Sequence, residues 1–252
     1  FKTNRIVLGQ SVQSPAKGNL LLTISHHFGK INSGIYNLFG LDQSTIRLGL
    51  DYGVTDRLSL GIGRSTYQKN FDGLIKYKIA RQQSGGGFPL SISYFGSMNI
   101  NTMKWENPNL KNYTWTKLSY VNQLLVARKI NKEISVQLTF SHLHYNLVKR
   151  IIDRNDVFAA GLGGRIKLSK HTSINAEYHA LLPGQTADDF FNSLSVGLDM
   201  ETGGHVFQLF CTNSFPIFER GFIAETSGYW TKGDVYFGFN ITRTFSLSGK
   251  KG

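Results

Sequence analysis

The chain has 252 residues and a formal net charge of +12, with 40% hydrophobic and 17% charged residues, 27 glycines, 13% aromatics and only 5 prolines. No run approaches the roughly 18 consecutive apolar residues of a membrane helix, so a bilayer could be crossed only by strands closed into a barrel. A single cysteine, Cys211, excludes an internal disulfide framework and any multi-cysteine metal cluster, and fits a small apolar residue on an outward face. The lysines and arginines are scattered, and no helix-turn-helix, zinc finger or aromatic RNA-binding signature accompanies them, which argues against nucleic acid. An anionic membrane surface, lipopolysaccharide above all, is the better expected partner of a basic rim.

In chain order, Phe1-Lys-Thr-Asn-Arg5 has neither an initiator methionine nor an apolar export segment, consistent with a mature or trimmed form. An extended piece around Arg5–Leu8 precedes a Ser-Pro-Ala-Lys-Gly turn, and the spacing leaves open whether it is a barrel strand; residues 1–18 are read as an N-terminal extended segment. Leu20, Leu22 and Ile24 then alternate with Leu21, Thr23 and Ser25 in a strand that ends at Phe28. A long aromatic connection follows, with a short helix or ordered loop expected around Tyr36–Phe39. The stretch Ser44 to Arg64 is the clearest unit. Ile46, Leu48, Leu50 and Tyr52 alternate with Arg47, Gly49 and Asp51, and after a polar turn Leu58, Leu60 and Ile62 alternate with Ser59, Gly61 and Gly63. Period 2 of this kind is a β-hairpin.

One hairpin face carries an arginine, an aspartate and glycines, so it cannot line a dry sandwich; a polar lumen with a lipid-facing exterior satisfies both faces. The same alternation recurs at Gly73–Ile79, Leu90–Asn99, Leu118–Lys129, Ile134–Tyr145, Phe158–Lys167, Ile174–His179, Leu194–Met200, Val206–Asn213 and Phe237–Phe245. This predicts an all-β, transmembrane antiparallel up-and-down barrel over 19–245, of about 12 strands (alternative 14), followed by a polar tail at 246–252. Turns after Val54, Gln82, Ile130, Leu168 and Met200 are short, while those after Phe28, Thr66, Asn99, Tyr145, Leu182 and Asn213 are mostly long. In outer-membrane barrels the short side is periplasmic. A lipocalin-like barrel or sandwich buries apolar faces inward and would not place charges opposite them.

Three stretches carry a resemblance: Gly34-Ile-Tyr-Asn-Leu-Phe-Gly-Leu-Asp-Gln43, Ile46 to Arg57, and Glu201 to Leu209 with Thr212-Asn-Ser214. On these the chain resembles a Bacteroidota family of outer-membrane β-barrels, a domain of unknown function, along nearly its whole length. The resemblance implies fold and bacterial outer-membrane location, and it brings no activity with it.

Candidate chemistry is sparse. His26 and His27 point to opposite faces and cannot chelate together. His142 and His144 share a face, but no cysteine or acid near them in sequence completes a metal site, so no metal and no cofactor is expected. Ser141 beside His142 invites a lipase-like reading, yet neighbours on a strand face apart and no nucleophile motif is present. Gly61-Ile-Gly63 and Gly161-Leu-Gly-Gly164 lie within strands, where they allow bending and close packing. Parity projects Arg47, Asp51, Asp72, Lys76, Lys78, Arg165, Lys167, Glu177, His179 and Asp199 into the lumen. There, opposite charges would pair across a narrow interior and largely close it. The expected function is a non-enzymatic scaffold or accessory subunit of an outer-membrane complex, with aromatic long loops, or the periplasmic turns, holding other proteins or lipoproteins. The alternative is a narrow channel for small solutes, anions among them.

Overall fold

The structure is a computed structural model that describes every residue except Ser84, Leu110, Lys149, Ala187, Asp188 and 248–252. The last of these cover most of the polar tail, which therefore lies outside the described residues. Twelve antiparallel strands form one closed barrel. They are β1 (Asn19–Lys30), β2 (Ser44–Gly53), β3 (Leu58–Ser65), β4 (Phe71–Ala80), β5 (Ser91–Ile100), β6 (Leu118–Lys129), β7 (Ile134–Tyr145), β8 (Asp156–Lys167), β9 (Thr172–Leu181), β10 (Ser193–Thr202), β11 (His205–Thr212) and β12 (Tyr236–Ser246). Each pairs with its neighbours in sequence, and β1 closes on β12 with Leu20 opposite Phe245 and Ile24 opposite Ile241. The count is twelve, not fourteen. Among the described residues no helix is long and apolar enough to cross a membrane; the strands do so.

Burial follows the inverted rule of a membrane barrel. On β7, Val136, Leu138 and Phe140 are exposed, whereas Ser135, Gln137, Thr139 and Ser141 are buried. Apolar side chains face outward because lipid is their solvent, and polar ones face inward because only the lumen can satisfy them. Cys211 lies on the outward parity of β11, half-buried. Closure also removes the free strand edge that an open sheet would present.

The two ends differ as the connection lengths imply. At the short-turn end, Gly203 and Gly204 turn β10 into β11 with φ of +43° and +95°, a left-handed pair that side chains with a Cβ rarely adopt. At the other end lie the connections 31–43, 101–117, 146–155, 182–192 and 213–235. The first contains the expected short helical loop, Ile35–Gly40. Asn32 Nδ2 donates to Asp234 Oδ1 at 3.0 Å and Lys30 pairs with the same oxygen at 3.0 Å, which ties this loop to the last one.

The outward face makes a quantitative prediction. Leu138→Arg, near the middle of β7, should destabilise the barrel by about 2–4 kcal/mol in bilayers, whereas the same change near a strand end should cost about 1 kcal/mol or less. Denaturant titration in lipid vesicles checks the difference.

Candidate functional site

Among the described residues, buried charged groups concentrate in the lumen. Of the residues nominated by parity, Arg47, Asp51, Asp72, Lys76, Lys78, Glu177, His179 and Asp199 are buried, while Arg165 and Lys167 are partly exposed near the short-turn end. Their pairing departs from the sequence expectation. Arg47 does pair with Asp72, Nε donating to Oδ1 at 3.0 Å alongside a second contact from Nη2. Four of the others, Asp51, Lys76, Lys78 and Glu177, are satisfied by a segment that sequence parity could not place.

That segment is residues 4–14. It is not a barrel strand; it enters from the short-turn end as a hairpin, bridged at Arg5 and Gln10 and closed by Ile6 N–H donating to Gly9 O at 2.8 Å. Glu177 cradles the tip. Its Oε1 accepts from Leu8 N–H at 2.7 Å and Gly9 N–H at 2.9 Å, and its Oε2 accepts from Val7 N–H at 3.3 Å. A Cβ at Gly9 would stand 3.0 Å from both the Glu177 carboxylate and the His179 ring, so any larger residue would have to push these two side chains back by a few tenths of an ångström. Lys76 Nζ donates to the carbonyl oxygens of Asn4, Ser11 and Gln13 at 3.2, 3.0 and 3.0 Å, and Lys78 Nζ to Ser14 O at 3.2 Å. Asn4 Nδ2 donates to Asp51.

Neutral amides complete the seat. Gln137 accepts from Val12 N–H at 2.9 Å and donates to Gln10 O at 2.7 Å. Gln208 Nε2 donates both to Ile6 O and to Asp199 Oδ1 at 2.6 Å, and Asn240 Nδ2 donates to Val7 O at 3.0 Å. The apolar tip residues Ile6, Val7 and Leu8 are buried against Val121, Leu143, Val157 and Phe210. Gly163 opens the space that Ile6 fills. Inward parity on β7, β11 and β12 could have found Gln137, Gln208 and Asn240; nothing in the sequence marks residues 4–14 as their partner.

The loop 213–235 folds into the same lumen from the opposite end and buries Phe218 and Phe222 there, leaving Tyr229 exposed at the rim. Its helix α1 (Glu219–Ala224) is wholly buried, with Phe222 edge-on to His179 at a ring distance of 5.2 Å. His27, on the inward parity of β1, meets Phe215 O at 3.1 Å through Nδ1. The two plugs meet at an ion pair: Arg5 Nη2 lies 3.0 Å from Glu219 Oε1, which also accepts from Gln10 Nε2 at 2.7 Å. Burial alone would raise the Glu219 carboxyl, but the Arg5 and Arg47 guanidiniums outweigh it and hold that carboxyl below its ordinary range.

The remaining candidates stay outside the lumen or apart from one another. His26 stacks on Phe239 on the outer wall. His142 and His144 do find an acid, supplied by the adjacent strand: Asp156 Oδ1 sits 2.8 Å from His142 Nε2 and 2.8 Å from His144 Nδ1. Among the described residues, no His, Cys, Asp and Glu cluster has the geometry to hold a metal. Ser141 faces inward and accepts from Gln123 Nε2 at 2.9 Å, away from His142. A crevice of about 360 Å³ opens at the short-turn mouth between Phe1, Val12 and Gln13 of the plug and Gln82, Arg128 and Lys129 of the wall.

With this geometry in place, a family profile described as a membrane bound beta barrel domain (DUF5777) matches residues 1–245, plug included. The chain belongs to the DUF5777 family. This DUF5777 barrel is also similar in fold to solved porins. The KdgM porin aligns with a TM-score of 0.55 and 10% identity over 90% of this chain and 98% of that one. The NanC porin aligns with 0.56 and 8% over 90% and 100%. The DUF5777 description and these folds give the protein its place as a bacterial outer-membrane β-barrel. A search of curated proteins finds no sequence match.

Two outcomes test the double plug. Glu177→Ala strands the three tip amides without their acceptor, an expected loss of about 1–3 kcal/mol. It should accelerate hydrogen exchange at Leu8 and Gly9 while leaving the strand amides of β7 and β8 protected. The Arg5–Glu219 tie has a pH sign as well. Because the folded carboxyl is depressed, its contribution is present above the ordinary glutamate pKa near 4.5 and is lost as pH falls through the lower folded value. In a variant with Trp105 and Trp115 replaced by Phe, emission of Trp230, held by Leu194 O at 3.1 Å, should report loop loosening in that acid range. Glu219→Gln should loosen the loop without the acid step.

Proposed function

We propose that the barrel is a non-enzymatic outer-membrane subunit whose lumen is occluded as folded, and that it acts as a scaffold rather than as an open pore. One observation carries the reading. The lumenal charges that a channel would offer to solutes are engaged by the chain itself, Lys76 and Lys78 on plug carbonyls and Glu177 on plug amides. The connection 31–43 supports a scaffold role, because Ile35 is 79% and Tyr36 93% exposed on the long-loop side, with Leu38 and Phe39 beside them. Apolar groups held out in this way suit a contact with another outer-membrane protein or lipoprotein.

A second reading has its own observation. The wall behind residues 4–14 is polar on β4, β7, β9 and β11, so withdrawal of the hairpin would leave a narrow, charged path. Planar-bilayer recording separates the two. The full chain should give no conductance steps, and gentle detergent extraction from its own membrane should bring down a stoichiometric partner. Ohmic steps from the full chain would overturn the scaffold reading. Steps appearing only when residues 1–14 are deleted, with no partner recovered, would favour a gated conduit.

A further inference from the structure

The strongest feature left unexplained is an unequal distribution of charge between the two ends. Among the described residues, exposed or partly exposed lysines and arginines at the short-turn end outnumber acids eleven to three; at the long-loop end the ratio is nine to seven. The ends also differ in how that charge is spent. At the long-loop end two of the nine bases are paired, Lys30 with Asp234 at 3.0 Å and Arg150 with Asp189 at 2.9 Å, and seven acids in all lie among the bases. At the short-turn end, Lys2 with Glu201 is the ion pair among the described residues, and Lys17, Arg57, Lys132 and Lys170 stand exposed in four separate connections.

The placement of these bases matters as much as their number. They come from the entry to β1 and from the β2–β3, β6–β7 and β8–β9 turns, so they ring the barrel instead of forming a patch on one flank. Just inside the ring, Tyr52 and Tyr77 face outward near the ends of their strands, as interfacial aromatics do. Arg243 lies on the same outward surface with its guanidinium 4.8 Å over the Phe245 ring, spanning aromatic belt and basic ring. A ring at that depth faces headgroups on every side.

We propose that the short-turn rim binds the headgroups of anionic phospholipids in the leaflet it emerges from, the periplasmic one by the turn-length rule. Sequence composition pointed to lipopolysaccharide as the anionic surface; the distribution of charge selects the opposite leaflet. A basic residue near an anionic surface contributes about 1 kcal/mol, or roughly fivefold in occupancy, and the effect fades within a Debye length of salt. A ring of such residues therefore retains anionic lipid over zwitterionic lipid of the same chain length.

Native mass spectrometry of the full chain, offered equal phosphatidylglycerol and phosphatidylethanolamine, reads this directly. The expected result is at least tenfold preferential retention of phosphatidylglycerol. That preference should fall at least fivefold in K17Q/R57Q/K132Q/K170Q and stay unchanged in K69Q/K104Q/K111Q/K232Q, which removes the same charge from the other end. Should the first variant fail to fold, the same preference in the unaltered chain must vanish between 0.05 and 0.5 M salt. Equal retention of both lipids, equal loss in both variants, or salt-independent selectivity would each overturn the proposal. Lipid selectivity unchanged in K17Q/R57Q/K132Q/K170Q, with capture of an acidic soluble protein at the rim lost instead, would do so too.

Discussion

A carboxylate holding three backbone amides is the contact on which the interior of this barrel depends. Glu177 is 3% exposed inside the lumen, and a lone buried carboxylate there would be costly. The tip of the 4–14 hairpin supplies donors that are fixed in direction by the turn and carry no counter-charge, so the carboxylate is satisfied without a buried ion pair of its own. The same logic runs in reverse at Lys76, whose ammonium meets three carbonyl oxygens drawn from both arms of the hairpin. Main-chain dipoles thus do what the sequence reading assigned to cross-lumen salt bridges. Arg47 with Asp72 is the lumenal nomination that follows the expected pattern.

This arrangement explains why so many small residues sit on the inward parity. A strand wall lined throughout by long side chains would leave no room for a two-stranded insert. Gly61 and Gly63 yield space to Asp51 and Arg47, Gly161 to His179, and Gly163 to Ile6. Glycine within a strand lowers its intrinsic stability. Here the insert repays that loss by burying Ile6, Val7 and Leu8 and by saturating polar groups that the wall alone cannot pair.

How much of this was legible depends on the period of the signal. Strand and face were readable because alternation is local: β6 and β7 are bounded at the very residues that periodicity indicates, and parity alone puts Lys76 and Glu177 inside. Partners were not readable. Val7 and Glu177 are 170 residues apart, Ile6 and Gln208 are 202 apart, and neither pair leaves a trace in spacing. The loop 213–235 misled for a related reason. Phenylalanines in a long connection read as a contact surface, and they are one, but the surface they meet is the barrel's own interior. The acid that meets His142 and His144 was likewise hidden, since Asp156 reaches them only across a strand pair.

The two plugs also fix how far the interior can loosen piecemeal. The hairpin is held by wall residues on β4, β7, β9, β11 and β12, whereas the loop 213–235 meets it through Arg5 and Gln10 on Glu219. The contacts are therefore asymmetric. Withdrawing the loop breaks one ion pair and one amide contact to the hairpin and leaves Glu177 and Lys76 satisfied. Withdrawing the hairpin orphans both of those charges and Glu219 as well. Loosening from the loop side therefore leaves the hairpin's charge contacts to the wall intact, whereas withdrawing the hairpin, the step that a gated conduit requires, exposes three charged groups whose satisfaction the barrel wall was built around.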